Sequence, residues 1–151
     1  MQVRREHEVV DVQDVSRIYE SWPDKGAVDD GKRLTLMADQ TTVGPGEEVR
    51  VLHVFERTEP GDWLYVMGPK TPYGEHVDGR LATEAPPDDD DPLAPADYDG
   101  ATLPSPDIDT NFEVTVYSFD EPGRHEIVWD LGGLRSNTLA IDVREREDRE
   151  G

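Results

Sequence analysis

The C-terminal third of the chain constrains the fold most strongly. Between residues 112 and 143 there are three apolar runs in which apolar and polar residues alternate. Asp-Glu-Pro-Gly separates the first two runs, and Gly-Gly comes before the third. A two-residue period is typical of half-buried strands, and short turns between strands favour an antiparallel meander. The candidates for the inward face are Phe112, Val114, Val116, Ile127, Trp129, Leu131, Leu139, Ile141 and Val143.

Three more strand-like runs precede this meander. Residues 34–38 and 49–55 alternate on either side of a Gly-Pro-Gly turn, and residues 63–67 are apolar on both faces. An apolar run on both faces predicts a central strand. At least six strands, with no βαβ alternation and no internal repeat, predict an all-β fold. An antiparallel β-sandwich is the natural way to bury them.

Length and composition limit what this sandwich can contain. A chain of 151 residues fits one domain with one core, and 34% hydrophobic and 33% charged residues indicate a modest core. Thirty-five acidic against fifteen basic residues give a net charge of −20. This charge disfavours nucleic acid and anionic membranes as partners and favours a protein partner with a basic surface. It also serves solubility in many proteins.

The absence of cysteine excludes disulfides and thiolate chemistry. The N-terminus has no apolar core of signal-peptide length, and no stretch approaches the roughly 20 apolar residues of a membrane span. We therefore expect a cytoplasmic protein. Within the single domain, residues 1–32 form an N-terminal arm whose pattern fits either a helix or a short strand. Residues 144–151 form a solvated tail.

The main interruption of the strand pattern is at residues 69–111. Between residues 81 and 110 there are nine acids and no lysine or arginine, and six of the twelve prolines also fall there. Proline and mutual charge repulsion favour an extended loop. The sequence therefore predicts a long acidic insertion in the sandwich.

Turn motifs and the strands beside them carry a family resemblance. The motifs are Leu34-Thr-Leu, Val43-Gly-Pro-Gly-Glu-Glu-Val-Arg-Val, Asp120-Glu-Pro-Gly-Arg-His-Glu-Ile-Val-Trp and Asn137-Thr-Leu-Ala-Ile-Asp-Val. In these segments the chain resembles bacterial immunoglobulin-like sandwich domains, and among them it is similar to the intracellular proteinase inhibitor type. The resemblance implies an immunoglobulin-like β-sandwich. Shared turn motifs indicate a similar fold, and they give little information about function.

Motifs for catalysis and for metal binding are lacking. The four histidines form no H-x-x-x-H pair, and no G-x-S-x-G elbow or P-loop is present. The segment that begins at Asp107 spaces its oxygen ligands as an EF-hand does, but Phe112 replaces the required glycine and Ser118 the bidentate glutamate. A looser calcium site in the insertion stays an open alternative. We expect a protein that is not an enzyme and has no cofactor or metal.

Aromatic and ionisable residues are concentrated between residues 63 and 79, a mixture typical of recognition surfaces. The predicted binding residues are Tyr73, Glu75, His76 and Asp78, together with Asp97, Tyr98 and Asp99 in the insertion. The alternative interpretation places Trp63 and Tyr65 in the core, with Tyr73 pinning the loop to the sandwich.

The leading functional hypothesis is a non-catalytic protein-binding module, such as an inhibitor or immunity-type protein that contacts a basic partner. The alternative is a structural subunit of a larger assembly, such as a secretion apparatus, a phage-like particle or a shell. The sequence leaves the oligomeric state open.

Overall fold

The computed structural model describes residues 1–6, 12–66, 70–83 and 101–145. These residues contain thirteen strands and one helix. In chain order the elements are β1 (Gln2–Glu6), α1 (Val12–Ser21), β2 (Lys32–Ala38), β3 (Thr42–Val43), β4 (Glu48–Arg57), β5 (Trp63–Tyr65), β6 (Glu75–Val77), β7 (Arg80–Leu81), β8 (Thr102–Pro104), β9 (Asp107–Asp109), β10 (Val114–Ser118), β11 (Gly123–Leu131), β12 (Leu134–Arg135) and β13 (Leu139–Val143). The predicted all-β class is confirmed.

The strands form two main sheets and a separate ribbon. The first sheet has the order β1-β10-β4-β2, with β9 also beside β4, and all its pairs are antiparallel. The second has the order β3-β13-β11-β6-β7, with β12 beside β11. It is mixed because β3 runs parallel to β13. Strands β5 and β8 form the antiparallel ribbon.

One hydrophobic cluster lies between the two main sheets. The first sheet contributes alternating residues, as expected for a strand with one face on the core. The second contributes Val77, Ile127 and Trp129 from its middle strands. The other principal members are Leu34, Leu36, Ala38, Val49, Val51, Phe55, Tyr117, Phe119, Leu139, Ile141 and Val143.

Helix α1 covers part of the outer face of the first sheet. Its buried residues Val15 and Tyr19 pack against Met37 of β2 and Val54 of β4 in a second, smaller cluster. The N-terminal arm thus contains both a strand and a helix: β1 pairs along its whole length with β10. Among the described residues, no helix combines the length and the apolar character that a membrane span requires.

Strand β10 is buried on both faces, and the residues that face the core between the two sheets are not the ones that its sequence pattern indicates. The sequence pattern assigns Val114 and Val116 to the inward face, but the core cluster contains Tyr117 instead. Thr115 and Tyr117 pair directly with Val51 and Val49 of β4, so they share its inward face. Val114 and Val116 are also buried. Burial on both faces hides the alternation on which the sequence prediction depended.

The run at residues 63–67 does not form the predicted central strand. Its described residues, 63–66, supply the three-residue strand β5, which pairs with β8 outside both main sheets. Trp63 is 52% exposed, whereas Leu64 is fully buried. Core assignment of Trp63 was therefore wrong, because apolar composition on both faces does not by itself show that both faces are covered.

The segment predicted as an insertion contains short strands as well as loops. Strands β6 and β7 form a hairpin at the edge of the second sheet, and β9 joins the first sheet beside β4. Strands of two or three residues are too short to produce a visible period. The most acidic part, residues 84–100, lies outside the described residues.

The outer edge of β2 is closed by side-chain and loop contacts. The amide of Asn137 accepts a hydrogen bond from the Leu36 N–H at 2.7 Å and donates one to the Leu36 carbonyl at 3.0 Å. Gly26 lies so close to this edge that a Cβ there would be 1.9 Å from the Leu34 carbonyl oxygen. These contacts satisfy backbone groups that would otherwise be buried without partners.

We predict that Asn137→Ala lowers the free energy of unfolding by about 1–3 kcal/mol, because it leaves the buried Leu36 groups unpaired. Urea denaturation measures the change. Gln40→Ala is the matched control, since its exposed amide makes a single bond to the Glu48 carbonyl, and it should change stability by less than about 0.5 kcal/mol. Equal stability of the two variants would contradict this role of Asn137.

Candidate functional site

Four of the seven predicted binding residues lie in the described part of the chain, and the structure separates them. Tyr73 is half-buried, and its backbone carbonyl accepts a hydrogen bond of 2.8 Å from Nε1 of the buried Trp129. This contact fits the alternative in which Tyr73 pins the loop to the two sheets. Asp97, Tyr98 and Asp99 lie outside the described residues.

Glu75 is fully buried between the two sheets. Its carboxylate extends from β6 toward the first sheet, where it accepts hydrogen bonds from Thr115 Oγ1 at 2.7 Å and from the Tyr117 hydroxyl at 2.5 Å. Nε2 of His53 also contacts this carboxylate. Glu75 therefore cannot contribute to the exposed binding surface that the sequence predicted, because its carboxylate is used inside the core.

These four side chains define the core polar network: His53 and Glu75 with Thr115 and Tyr117. All four residues are at most 2% exposed. Nδ1 of His53 has no hydrogen-bond partner in the part of the chain that the structure describes. The His53 ring packs edge-on against Trp129, with centroids 4.9 Å apart. Burial and the nearby Glu75 carboxylate raise the pKa of Tyr117 far above its usual value, so its hydroxyl stays a donor.

We predict that Tyr117→Phe lowers the free energy of unfolding by about 1.5–3 kcal/mol, the usual contribution of a hydrogen bond to a charged group. Thermal or urea denaturation measures the loss. Tyr73→Phe removes a hydroxyl for which no hydrogen bond is found among the described residues, and it should cost less than about 0.5 kcal/mol. If both variants unfold alike, the Tyr117 hydroxyl does not stabilise the sheet pair.

His76 and Asp78 lie on the exposed side of the second sheet, on either side of Val77. Nδ1 of His76 is 3.1 Å from the Gly74 carbonyl, a local contact within its own strand region. His76 lines a shallow depression of about 360 Å³ with Glu126, Asp130 and Arg135. Across the described ranges, no group of three or more histidine, aspartate or glutamate side chains is arranged to hold a metal ion.

Asp78 also lines a larger opening, which we name the hairpin cleft. It has a volume of about 660 Å³ and lies between the β6–β7 hairpin, the turn from β10 to β11 and the N-terminus. Its lining residues combine apolar surface with ionisable groups of both signs: Met1, Val77, Asp78, Arg80, Leu81, Phe119, Asp120, Glu121 and His125. Met1 and Leu81 are each 54% exposed and give the cleft apolar surface in contact with solvent.

His125 is the centre of the contacts inside the hairpin cleft. Its Nδ1 is 2.7 Å from Asp78 Oδ2, and its Nε2 is 2.9 Å from the Glu121 carbonyl. The ring stacks on Phe119 with centroids 4.3 Å apart. Asp78 also accepts a hydrogen bond of 2.8 Å from the Glu126 N–H. Both ring nitrogens face acceptors, so the protonated imidazolium satisfies this arrangement fully.

The pKa shifts of this pair follow from these contacts. Partial burial opposes the charge of His125, but the Glu121 carbonyl and the Asp78 carboxylate together raise the pKa of His125 above 6.5. Burial likewise acts against the charged form of Asp78, but the Glu126 N–H and His125 lower the pKa of Asp78 below 3.8. Each group therefore favours the charged state of the other.

We predict a stability difference between the protein and its His125→Asn variant that depends on pH. Because folding raises the pKa of His125, its contribution is complete below pH 6.5 and is lost as the pH rises through the folded-state pKa. Asp78 contributes in the opposite sense, above pH 3.8 and less as the pH falls toward its lowered pKa. Urea denaturation of both proteins from pH 4.5 to pH 9 measures the difference, and a constant difference would contradict the pairing.

Sequence reasoning found Asp78 but missed His125 and Phe119. Both lie in the segment that was interpreted as scaffold. The missing signal was strand pairing: Ile127 of β11 lies opposite Val77 of β6, which brings His125 beside the residue that follows Val77. Pairing between distant segments cannot be read from a local pattern.

Comparison with known proteins finds no matching family model, no matching curated protein and no matching solved structure. The geometry of the described residues is therefore the basis for a functional proposal.

Proposed function

We propose that this protein is a non-catalytic binding module, an immunoglobulin-like sandwich that contacts a basic partner protein through the hairpin cleft. An inhibitor or immunity-type role is one form of this function. Two sheets that share one core support the sandwich interpretation. The observation that carries the functional proposal is the lining of the hairpin cleft, which joins exposed apolar surface to carboxylates.

The hairpin cleft suits a long basic side chain. Lysine and arginine bury their aliphatic stems on apolar surface and keep their charged ends near water or carboxylates. Phe119 and Val77 provide buried apolar surface, and the exposed Asp120 and Glu121 provide carboxylates. When His125 is protonated it balances Asp78, and Asp120 and Glu121 are then matched in number by Arg80 and the α-amino group of Met1. The lining offers two exposed carboxylates beside apolar surface, but it has no excess of negative charge of its own. The net charge of −20 strengthens attraction to a basic partner at longer range.

The core polar network supports a structural role for the ionisable groups inside the protein. Each of its carboxylate and hydroxyl groups is engaged within the network, and all four side chains are buried.

Strand β1 bears on the alternative, a structural subunit that assembles through strand edges. The strand is an edge of the first sheet, and Arg4 forms ion pairs there with Glu6 and Glu48. Charged side chains on an edge strand discourage pairing with another chain. The edge therefore favours the binding module over assembly through this strand.

We predict that the double variant Asp120→Asn/Glu121→Gln binds octalysine about three to ten times more weakly than the unchanged protein in 20 mM salt. Octalysine is the probe because it carries charge without the planar guanidinium group that stacks on aromatic rings. Isothermal titration calorimetry measures affinity. Binding of the unchanged protein should weaken as salt rises to 0.3 M, where the Debye length is about 5–6 Å.

The matched control is Glu20→Gln/Asp24→Asn, which removes two exposed carboxylates near the end of α1. It changes the net charge by the same two units, from −20 to −18, and should change affinity by less than about twofold, since general attraction depends weakly on position. Equal losses in the two variants would contradict a cleft-directed contact, and so would an absence of octalysine binding at low salt.

A further inference from the structure

A second exposed feature lies on the β5–β8 ribbon, which the hairpin cleft does not include. Trp63 is 52% exposed, a large fraction for the side chain with the greatest apolar area. It lies opposite Pro104, and Tyr65 shares its face of the ribbon because alternate residues of a strand point to the same side. An exposed tryptophan is the residue type most often found at the centre of binding energy in interfaces.

The backbone of Trp63 is held on both sides. Its N–H donates to Asp62 Oδ1 at 3.0 Å, and its carbonyl accepts a bond of 3.0 Å from Arg57 Nε. Arg57 also forms an ion pair with Asp62 at 2.9 Å. Across the ribbon, the Ser105 N–H and the Asp62 carbonyl are joined at 2.9 Å. The backbone that presents the indole ring is thus fixed before binding, which reduces the entropy lost when a partner docks.

Other aromatic rings of this protein already carry a cation on their faces. Lys25 Nζ is 4.9 Å from the centroid of the Tyr19 ring, and Lys70 Nζ is 5.1 Å from that of Phe112. Arg57 Cζ is 5.5 Å from the centroid of Phe55. In the described ranges no cation lies over Trp63, although tryptophan has the strongest attraction of the aromatic side chains for a cation. Its face remains exposed to solvent.

The charges around Trp63 indicate whether a positively or a negatively charged group would bind there. Asp62 precedes it and is 60% exposed at the side chain, and Asp107 is exposed at the start of β9. Arg57, whose side chain is 15% exposed, balances the charge of Asp62 through their ion pair. No ion pair of Asp107 is found among the described residues, so its exposed carboxylate and the net charge of −20 are the charges that favour a cation here.

We propose that the exposed face of Trp63 is a docking site for an arginine side chain of a partner protein, separate from the hairpin cleft. The planar guanidinium stacks on an indole ring and keeps its hydrogen-bond donors free for carboxylates at the edge of the ring, which lysine cannot do in the same way. This inference rests on the proposed function, because it assumes that the partner has a basic surface, as the proposal for the hairpin cleft does. The two sites would engage different parts of one basic surface or two separate partners.

The test uses the double variant Asp120→Asn/Glu121→Gln, so that binding in the hairpin cleft is already weakened. Octa-arginine, octalysine and octaproline are titrated into ¹⁵N-labelled protein in 20 mM salt. The three tryptophans give three indole N–H signals, and the signal that Trp63→Phe removes is that of Trp63. We expect octa-arginine to shift the Trp63 signal, octalysine to shift it less and octaproline to leave it unmoved.

The buried Trp129, whose indole N–H is bonded to the Tyr73 carbonyl, should not respond and serves as the internal reference. Trp63→Leu keeps an apolar side chain without an aromatic face, and it should weaken octa-arginine binding about two- to fivefold, whereas Trp63→Phe should weaken it less.

The proposal would be overturned if Trp63→Leu bound octa-arginine as tightly as the protein that retains Trp63. It would also be overturned if the Trp63 signal moved with octaproline and not with octa-arginine. The latter result would identify a site for proline-rich peptide instead. If octa-arginine does not shift the Trp63 indole signal while octalysine binds the unchanged protein as predicted, only the inference about Trp63 is contradicted. Failure of octalysine binding with an intact Trp63 response would contradict only the proposed role of the hairpin cleft.

Discussion

Among the described residues, the buried carboxylate of Glu75 links the two sheets by hydrogen bonds inside their shared core. It lies on β6 of the second sheet and binds Thr115 and Tyr117 of the first, with His53 beside it. A buried carboxylate is costly unless its oxygens are satisfied, so the donors must come together when the sheets pack. This requirement restricts how the sheets can slide against each other, which apolar contacts alone restrict weakly.

The network also explains the position of the neighbouring elements. Glu75 can reach the first sheet only because its short strand pairs with β11 at Trp129 and Ile127. Its backbone N–H is bonded to Thr83 Oγ1 at 2.9 Å, which fixes the chain after the β6–β7 hairpin. That hairpin forms one wall of the hairpin cleft. The buried polar contacts thus position an exposed surface without taking part in it.

The sequence was sufficient for the strands that alternate regularly over five or more residues. Strand β4 and the strands of the C-terminal third were predicted from their apolar positions and the turn residues that bound them. The predicted meander was wrong, because β10 lies in the first sheet and β11 and β13 lie in the second. Prediction failed where packing reversed the pattern: Thr115 and Tyr117 face the core because they pair with Val51 and Val49 of β4, while Val114 and Val116 are buried elsewhere. A local pattern does not show the register of pairing between distant strands.

The candidate site was predictable only in part, for a related reason. Asp78 belongs to a loop whose composition resembles a recognition surface, and it does line the hairpin cleft. Glu75 has the same composition signal but points inward, because successive residues of a strand face opposite sides and its side was not known. The interpretation that placed Trp63 in the core rested on its hydrophobicity, although an exposed aromatic residue is also common at binding surfaces.

We thus propose that the exposed ionisable and aromatic groups bind the partner, whereas the buried ionisable groups hold the sheets together. Amide chemical shifts of ¹⁵N-labelled protein during titration with a folded, strongly basic protein, at low salt, test this division most directly. The account predicts shifts concentrated at residues 77–81 and 119–125 and at Trp63, with the amides of Thr115 and Tyr117 unchanged. Small shifts spread evenly over the acidic surface, or the largest shifts at Thr115 and Tyr117, would contradict it.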